Sequence, residues 1–307
     1  MVKFLNRIRQ IFHKIDYLHQ ERYNTYDLKD PKVLMGRVLA ELNKQKSAPA
    51  LADVEFQVFS QFGDDGIIQY LISNLHIPHK TFIEFGIENY KESNTRFLLI
   101  NNNWSGFVMD GSEYNIDYVK KDPISMFHEL HARCAFITKE NINELLKDFL
   151  KLGYDPEVGI LSIDIDGNDY WVWEEINAIS PIIVIAEYNA VFGSEKAWTT
   201  PYKADFYRLH AHHSHQYWGV SLKALCILAE KKGYYFIGCN SAGNNSYFIR
   251  KDKIGNLKPL DAKEGFVVSK FMEDIDKAGN GIRGEKRLEL IKGMPVVDIA
   301  SGQLENI

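Results

Sequence analysis

The sequence predicts an α/β fold with a mostly parallel sheet that ends in an antiparallel hairpin. Short apolar segments alternate with helical segments from residue 56 onward, and this alternation indicates βαβ units with parallel strands. The last two apolar segments, 234–239 and 246–250, are joined by a loop rich in turn-forming residues, which indicates a hairpin. Residues 1–55 have a helical pattern and are predicted to form a separate N-terminal extension.

The individual elements follow from apolar spacing and from stop signals. The five predicted parallel strands are 81–85, 106–110, 134–137, 159–164 and 182–187. The predicted helices are 65–75, 141–152, 170–176 and 221–232. Asn141 is the predicted N-cap of the helix at 141–152, with Glu144 as its N3 acid, and Gly153 and Gly233 follow two of these helices as stop signals. The tail, 254–307, has no strong periodicity, so we expect one domain at 56–253 with an extension on each side.

The N-terminal extension contains an amphipathic pattern with a basic face. Its apolar residues recur at 4-3-4-3 spacing, which places them on one face of a helix within residues 1–20. These residues are Phe4, Ile8, Ile11, Ile15 and Leu18. One interpretation is a helix that packs on the domain or on a partner subunit as a homo-oligomer contact. The other is peripheral contact with the anionic inner face of a membrane.

Composition excludes several classes of protein. The chain has 307 residues, of which 45% are hydrophobic and 25% are charged, as is usual for a globular domain. The net charge of −5 argues against a nucleic-acid partner, because such proteins usually have a basic balance. Three scattered cysteines do not form a disulfide or zinc pattern and favour the reducing cytoplasm. No apolar run approaches a membrane span, and basic residues interrupt any signal-peptide pattern.

The first two strands end in residues that suit a nucleotide-type ligand. Glu84 and Gly86 lie where the first strand ends, the place where doubly wound sheets bind ligands. A single glycine does not make a dinucleotide fingerprint, and no phosphate-binding loop of the ATP type is present. Asp110 ends the second strand, 24 residues beyond Gly86, and can accept hydrogen bonds from ribose hydroxyls. The alternative is that Glu84 caps a turn and Asp110 begins one.

The fourth strand ends in three acids, in the segment GILSIDIDGNDYW at 159–171. Asp164 and Asp166 share one face if the strand continues that far, because side chains alternate along a strand. Gly167 indicates a turn, so Asp166 could instead belong to the loop. Asp169 is interpreted as a helix cap. Burying unpaired charge is costly, so acids in this position require an explanation.

The fifth strand adds two further oxygen donors. Glu187 and Asn189 follow it, and its end is expected beside that of the fourth strand. Together with Asp164 and Asp166 they would form an all-oxygen set that suits Mg²⁺ or Mn²⁺. The alternative is a hydrogen-bonded acid network without metal, in which one carboxylate is the general base.

A histidine cluster lies in the loop before the helix at 221–232. It consists of His210, His212, His213 and His215. Its spacing fits no standard zinc signature, but one member could be a general base, and His212 is the candidate. The alternative is that these are ordinary surface-loop histidines.

Several separate segments together resemble one enzyme family. They are SQFGDDG at 60–66, FIEFG at 82–86, NWSGFVMDGS at 103–112, LSIDIDGNDYW at 161–171 and NSAG at 240–243. In this order they resemble FkbM-like S-adenosylmethionine-dependent methyltransferases, relatives of which occur in bacterial surface-polysaccharide gene clusters. The predicted element order is also that of the Rossmann-like methyltransferase fold.

The resemblance implies a cofactor and its contacts. S-adenosylmethionine is the implied cofactor, Glu84 and Gly86 match the first cofactor motif, and Asp110 matches the ribose-binding acid. Gln61 and Asp64 belong to a segment that is expected to wall the cofactor site, and Ser112 completes the set. The loop after the first strand reads GIEN and lacks the second glycine of many methyltransferases.

The implied reaction is O-methylation of a sugar or of a carbohydrate substituent, with a carbohydrate or nucleotide-linked sugar as partner. Asp164, Asp166 and His212 are the predicted catalytic residues. A first alternative is a glycosyltransferase that uses Asp164-x-Asp166 as a metal-binding DxD motif. A second is a scaffold that keeps the fold without catalysis. The predicted location is the cytoplasm, with peripheral contact at the inner face of the membrane as a further option.

Overall fold

The computed structural model describes residues 30–270, 282 and 286–307. The predicted amphipathic helix within residues 1–20 lies outside this part of the chain. Among the described residues, no helix combines the length and the apolarity needed to cross a membrane.

Ten strands in the described part of the chain form two sheets. In chain order they are β1 Thr81–Phe85, β2 Ser105–Asp110, β3 Leu130–Cys134, β4 Ile160–Ile163, β5 Ile183–Glu187, β6 Trp198–Thr199, β7 Tyr234–Cys239, β8 Asn245–Arg250, β9 Pro295–Asp298 and β10 Gln303–Asn306. The large sheet has the order β3-β2-β1-β4-β5-β8-β7. Strands β1 to β5 are parallel, and β8 is antiparallel to both of its neighbours. The predicted mostly parallel sheet with a terminal antiparallel hairpin is confirmed, in the Rossmann-like methyltransferase order.

Twelve α-helices lie in the described residues. They are α1 Pro31–Asn43, α2 Leu51–Val54, α3 Asp64–Asn74, α4 Arg96–Asn102, α5 Glu113–Lys121, α6 Ile124–Phe127, α7 Ile142–Lys151, α8 Asp169–Glu175, α9 Arg208–Ala211, α10 Leu222–Lys231, α11 Ala262–Gly265 and α12 Lys286–Leu290. Short 3₁₀ helices occupy Ala190–Phe192 and Lys251–Lys253. Helices α1 and α2 lie in the predicted helical extension.

Apolar cores cover both faces of the large sheet. Side chains alternate along β1, so Ile83 and Phe85 join one core and Phe82 joins the other. Val33 of α1 is buried in the same core as Phe82, which fastens this helix to the body of the domain. Burial on both faces is why the parallel strands read as continuous apolar runs in the sequence.

The second sheet comes mainly from the tail. It has the order β10-β9-β6, with antiparallel pairing throughout. Val296 of β9 and Trp198 of β6 are buried in a small core of their own. The tail therefore folds back on the segment that follows β5.

Two local predictions were wrong. The third strand runs over Leu130–Cys134 and not over 134–137, because β3 is a half-exposed edge strand without the apolar run that marks a buried one. Asn141 precedes α7, but its side chain makes no cap bond to that helix. Its amide instead bonds the backbone of Phe136 and Thr138, which shapes the loop after β3.

Candidate active site

The carboxyl ends of β1, β2, β4 and β5 surround one cleft of about 1040 Å³. This is the edge of an open parallel sheet at which ligands bind. The structure brings seven of the predicted site residues to this cleft, namely Gln61, Gly86, Asp110, Ser112, Asp164, Asp166 and Glu187. Asp64, Glu84, Asn189 and His212 are not among the residues that line it.

Gly86 brings the ends of β1 and β4 into close approach. Its φ is +69°, and its N–H donates to the carbonyl oxygen of Met109 at the end of β2, with a distance of 2.9 Å. A Cβ at this position would overlap the carbonyl oxygen of Asp164 and lie 2.8 Å from its carbonyl carbon. Glycine is therefore required here, both for its left-handed backbone and for the space.

Glu84 holds the loop that follows Gly86 and does not line the cleft. Its carboxylate accepts hydrogen bonds from the backbone N–H of Asn94, at 2.9 Å, and of Thr95, at 3.2 Å. Burial raises the pKa of Glu84 to about 7, against the bonds from Thr95 and Asn94 that lower it. Glu84 thus fixes the loop that follows Gly86 and is not among the residues that line the cleft, so its direct cofactor contact stays a prediction.

Asp110 connects three parts of the cleft wall. Its carboxylate accepts hydrogen bonds from the backbone N–H of Glu88 and of Ser112, both at 2.8 Å, and from the side-chain amide of Asn115 at 3.1 Å. Ser112 also caps α5 through its hydroxyl. Each carboxylate oxygen can accept more than one hydrogen bond, so the existing bonds leave acceptor capacity for a ligand.

Asp64 is directed away from the cleft. Its carboxylate accepts hydrogen bonds from the side chains of Asn240, Asn245 and Tyr247 on the terminal hairpin. Burial raises the pKa of Asp64 above its usual range, against these hydrogen bonds. The predicted cofactor contact is thus replaced by a connection between α3 and the hairpin, whereas Gln61 does line the cleft.

Asp164, Asp166 and Glu187 form an acid cluster at the ends of β4 and β5. Each offers a carboxylate oxygen, and these oxygens lie within 4.8 Å of one another. Glu187 is 7% exposed, and its Oε2 atom has no hydrogen-bond partner in the described part of the chain. A buried acceptor of this kind is costly unless a further group meets it.

The electrostatics of Asp164 and Glu187 favour their protonated forms. Burial raises the pKa of Asp164 well above its usual range, and the nearby carboxylates of Asp166 and Asp169 raise it further. Burial also raises the pKa of Glu187, as do Asp164 and Asp166, while Arg208 opposes the change. Such an arrangement binds either a proton or a cation.

Asp169 holds the loop that carries Asp166. Its carboxylate accepts hydrogen bonds from the backbone N–H of Ile165 and of Gly167, both at 2.9 Å. Burial raises the pKa of Asp169 to about 6, against these backbone bonds. Asp166 has a φ of +54°, so it lies in the turn and not on the strand. Asp169 is therefore the first residue of α8 and fixes the acid loop, which differs from the predicted cap.

Asn189 does not join the acid cluster. Its amide nitrogen donates to the carbonyl oxygens of Gln216 and Trp218, both at 2.9 Å, and its amide oxygen accepts from the N–H of Val191 at 3.0 Å. The side chain is 2% exposed. The predicted metal ligand is thus a structural connection between β5 and the segment before α10.

The histidine segment reaches the cleft through other residues than predicted. His212 bonds the hydroxyl of Ser214 at 2.8 Å and does not line the cleft, whereas His215 does. Arg208 pairs with Asp166, with 2.8 Å between Nη1 and Oδ1. His215 belongs to the histidine cluster noted in the sequence, whereas Arg208 had no sequence signal. Arg208 begins the short helix α9, and His215 has a left-handed φ of +57°.

One aromatic side chain at the cleft was not predicted as a site residue. Phe136 follows β3, is 52% exposed and lines the cleft beside Gly111. The wrong limit predicted for the third strand had placed this residue within the sheet. A large exposed ring next to Asp110 suits stacking on a planar ligand group.

Comparisons with known proteins give remote structural likenesses only. No protein-family model and no curated protein matches the chain. The N-terminal domain of EvdMO1, with SAH bound, is 12% identical, covers 69% of this chain and 94% of its own, and has a TM-score of 0.38. A putative O-methyltransferase from Klebsiella pneumoniae is 12% identical, with coverages of 76% and 95% and a TM-score of 0.36. An O-methyltransferase from Bacillus cereus in complex with SAH is 9% identical, with coverages of 76% and 96% and a TM-score of 0.38. At these identities and scores the likenesses carry no argument about activity.

Proposed function

We propose that the protein is an S-adenosylmethionine-dependent O-methyltransferase that acts on a hydroxyl of a carbohydrate or a carbohydrate substituent. One observation carries the proposal. A single cleft is lined on one side by Gly86 and Asp110 and on the other by the acid cluster. A donor and an acceptor held in such a cleft would react with the advantage of proximity and orientation.

The donor side of the cleft, at Gly86 and Asp110, has residues whose chemistry suits an adenosyl ligand. Asp110 can accept from ribose hydroxyls, and Phe136 offers an exposed ring for adenine. Gly86 leaves its side of the cleft free of a side chain. The cleft volume of about 1040 Å³ suffices for a cofactor together with an acceptor. S-adenosylmethionine would supply an electrophilic methyl group when bound.

The acceptor side offers a base. A hydroxyl that forms a bond to carbon must lose its proton, and a deprotonated carboxylate of Asp164 or Glu187 can take it. The raised pKa of each makes it a stronger base than an ordinary carboxylate. In this arrangement the hydroxyl proton would end on the carboxyl group, and the acceptor oxygen would acquire the methyl group, whose bond to the sulfonium sulfur would break to leave S-adenosylhomocysteine.

We further propose that a divalent hard cation, Mg²⁺ or Mn²⁺, binds the acid cluster. Three carboxylates provide the oxygen ligands that such ions prefer, and Glu187 Oε2 lacks any other partner among the described residues. A cation there would neutralise the cluster and lower the pKa of a hydroxyl that it contacts. The acid network without metal, with a shared proton between Asp164 and Glu187, is the competing arrangement.

The carbohydrate acceptor is supported by the character of the cleft wall. Tyr207 lines the cleft and is 52% exposed, next to polar and charged side chains. An exposed aromatic ring beside hydrogen-bonding groups suits the apolar face and the hydroxyls of a sugar. The family resemblance points to the same substrate class and to surface-polysaccharide synthesis in the cytoplasm.

Calorimetric titration with S-adenosylhomocysteine tests the cofactor. We expect binding to the wild type and at least tenfold weaker binding to Asp110→Asn, which keeps the shape but not the charge. Glu113→Gln is the matched control, because this exposed residue of α5 does not line the cleft. No binding to the wild type at millimolar ligand would rule out the proposed activity.

Thermal protection by a nucleotide sugar alone would favour a glycosyltransferase, and cofactor binding without turnover of any glycan would favour a scaffold.

Calorimetric titration with Mn²⁺ tests the cation separately. We expect one site in the wild type that Glu187→Gln abolishes, because an amide provides a weaker ligand and no charge. Glu144→Gln is the control, since this exposed acid of α7 pairs with Lys147 far from the cluster. Cofactor binding without any Mn²⁺ binding would leave the metal-free acid network as the mechanism.

A further inference from the structure

Residues 200–218, the segment that carries Arg208, are fixed at both ends. At its start, Thr200 donates its N–H to the carbonyl oxygen of Gly219 at 2.9 Å, and Asn168 donates its amide to the carbonyl oxygen of Lys203 at 2.9 Å. At its end, the Asn189 amide holds the carbonyl oxygens of residues 216 and 218. These anchors are hydrogen bonds to the backbone and do not depend on the charge of the acid cluster.

Between the anchors, residues 207–209 form a rim of the cleft. Tyr207 and Leu209 are each 52% exposed, and both line the cleft. Arg208 lies between them, and its side chain is only 14% exposed. The rim therefore has two exposed side chains, Tyr207 and Leu209, on either side of the largely buried Arg208.

Arg208 connects the rim to the acid cluster. Its Nη1 lies 2.8 Å from Oδ1 of Asp166, and its Nε donates to the carbonyl oxygen of His215 at 3.1 Å. The guanidinium carbon lies 4.4 Å from the ring centroid of Trp218. The side chain of Asp166 remains 57% exposed, so a competing ion can reach the carboxylate from solvent.

We propose that Arg208 is the resident counter-charge of the acid cluster, that a divalent cation displaces it from Asp166, and that this exchange moves the rim. The inference rests on the cation site of the proposed function. Arg208 and the cation would share one carboxylate, and two positive charges so close repel each other. Binding of the cation and attachment of the rim are then linked and oppose each other by the same factor.

The linkage gives the site a form of regulation. Without the cation, Arg208 holds the rim over the cluster. With the cation, Arg208 is released, and Tyr207 and Leu209 become free to adjust to an acceptor. Cation binding would thus prepare both the acid cluster and the wall that contacts the acceptor.

The test is Mn²⁺ affinity in Arg208→Gln, measured by calorimetry on the full chain. Removal of the competitor should lower the Kd for Mn²⁺ by about fivefold or more, as is usual for coupled sites. Arg208→Lys keeps the charge but loses the planar fork and the stacking on Trp218, so its Kd should fall between the two. Arg133→Gln is the control, because this arginine pairs with Asp148 away from the cluster and should bind Mn²⁺ as the wild type does.

Hydrogen exchange of peptides that cover residues 203–215 supplies a second readout. Mn²⁺ should increase exchange of the rim in the wild type and in Arg133→Gln. In Arg208→Gln, exchange should be high already and should not respond to Mn²⁺. A rim that does not respond in the wild type would overturn the coupling.

Other outcomes also decide the matter. Unchanged or weaker Mn²⁺ binding in both Arg208 variants would mean that Arg208 supports the site and does not compete with the ion. Absence of Mn²⁺ binding in every variant would overturn this inference together with the proposed cation. The titration with S-adenosylhomocysteine on the same samples keeps the cofactor proposal distinct, because Arg208 and Asp166 lie on the acceptor side.

Discussion

Substitution of Gly86 by alanine tests how closely the ends of β1 and β4 approach each other. The new Cβ would overlap the carbonyl oxygen of Asp164, and the backbone would remain at a φ of +69°. Gly302 has nearly the same φ, +72°, and no described atom lies within 4 Å of the position of its Cβ. Both glycines also donate their N–H to a backbone carbonyl oxygen. The Gly302→Ala variant therefore places alanine at a similar positive φ without the overlap.

The backbone strain and the steric overlap each lower the unfolding free energy by a different expected amount. A left-handed alanine costs ~1–2 kcal/mol, so we expect this loss of unfolding free energy for Gly302→Ala. Forcing extra atoms into a packed site costs a further ~1–3 kcal/mol. For Gly86→Ala we expect the sum, with the overlap near the upper limit because the opposing atoms belong to backbone. The difference between the variants should therefore be ~3 kcal/mol.

Urea denaturation of both variants, followed by circular dichroism, measures this difference. Because the overlap can be relieved only by moving Asp164, the Gly86→Ala variant should also bind Mn²⁺ and S-adenosylhomocysteine more weakly, while Gly302→Ala should bind both as the wild type does. Equal destabilisation of the two variants, or unaltered binding by Gly86→Ala, would refute the close approach of the two strand ends at the cleft.

Three further predictions concern the buried polar groups. Burial raises the pKa of Asp164 and of Glu187, and a cation needs the deprotonated form of each. Mn²⁺ affinity should therefore rise with pH above the ordinary carboxyl range. A flat profile of the Kd for Mn²⁺ from pH 5 to 8 in calorimetry would contradict this. Burial raises the pKa of Glu84 from 4.5 to about 7, so the folded state holds this proton more tightly than the unfolded chain, and the stability contribution of this group should fall by up to ~3 kcal/mol between those pH values. Urea denaturation at pH 5 and pH 7 should show a smaller fall for Glu84→Gln than for the wild type, and equal falls would argue against this assignment. Asn189→Ala leaves buried carbonyl oxygens without donors and should lower the unfolding free energy by ~2–3 kcal/mol. The Kd for Mn²⁺ should not change, because Asn189 is not a ligand. Loss of Mn²⁺ binding in a variant that remains folded would restore Asn189 to the metal site.

The sequence sufficed for the sheet because its signals are local and repeated. Apolar runs of the right length, separated by glycine stops, located β1, β2, β4, β5 and the hairpin to within a residue or two. The same reasoning failed for β3, since a half-exposed edge strand lacks such a run. The topology also predicted that Asp164, Asp166 and Glu187 lie together, although Asp166 reaches the cluster from the turn after β4 and not through alternation along the strand.

The side chains at the site were less predictable, because their roles depend on which donors reach them. Glu84 and Asp64 stand in segments that suggest cofactor contact, but their oxygens are occupied by the loop at 94–95 and by the terminal hairpin. Arg208 reaches Asp166 across 42 residues of chain, and no spacing rule connects such a pair. Sequence patterns give the positions of polar groups along the chain, whereas hydrogen-bond satisfaction is a property of the assembled fold.

That difference separates the structural acids from the functional ones. Asp169 and Glu84 are buried carboxylates, and each oxygen of both accepts a hydrogen bond from a backbone N–H. They repay the cost of their burial by holding loops in place. Glu187 is buried to a similar degree, but its Oε2 has no donor among the described residues, and the neighbouring charges are mainly negative. A fold that satisfies two buried acids with backbone donors and leaves a third facing two carboxylates has kept that third acid available for a ligand, a cation or a transferred proton.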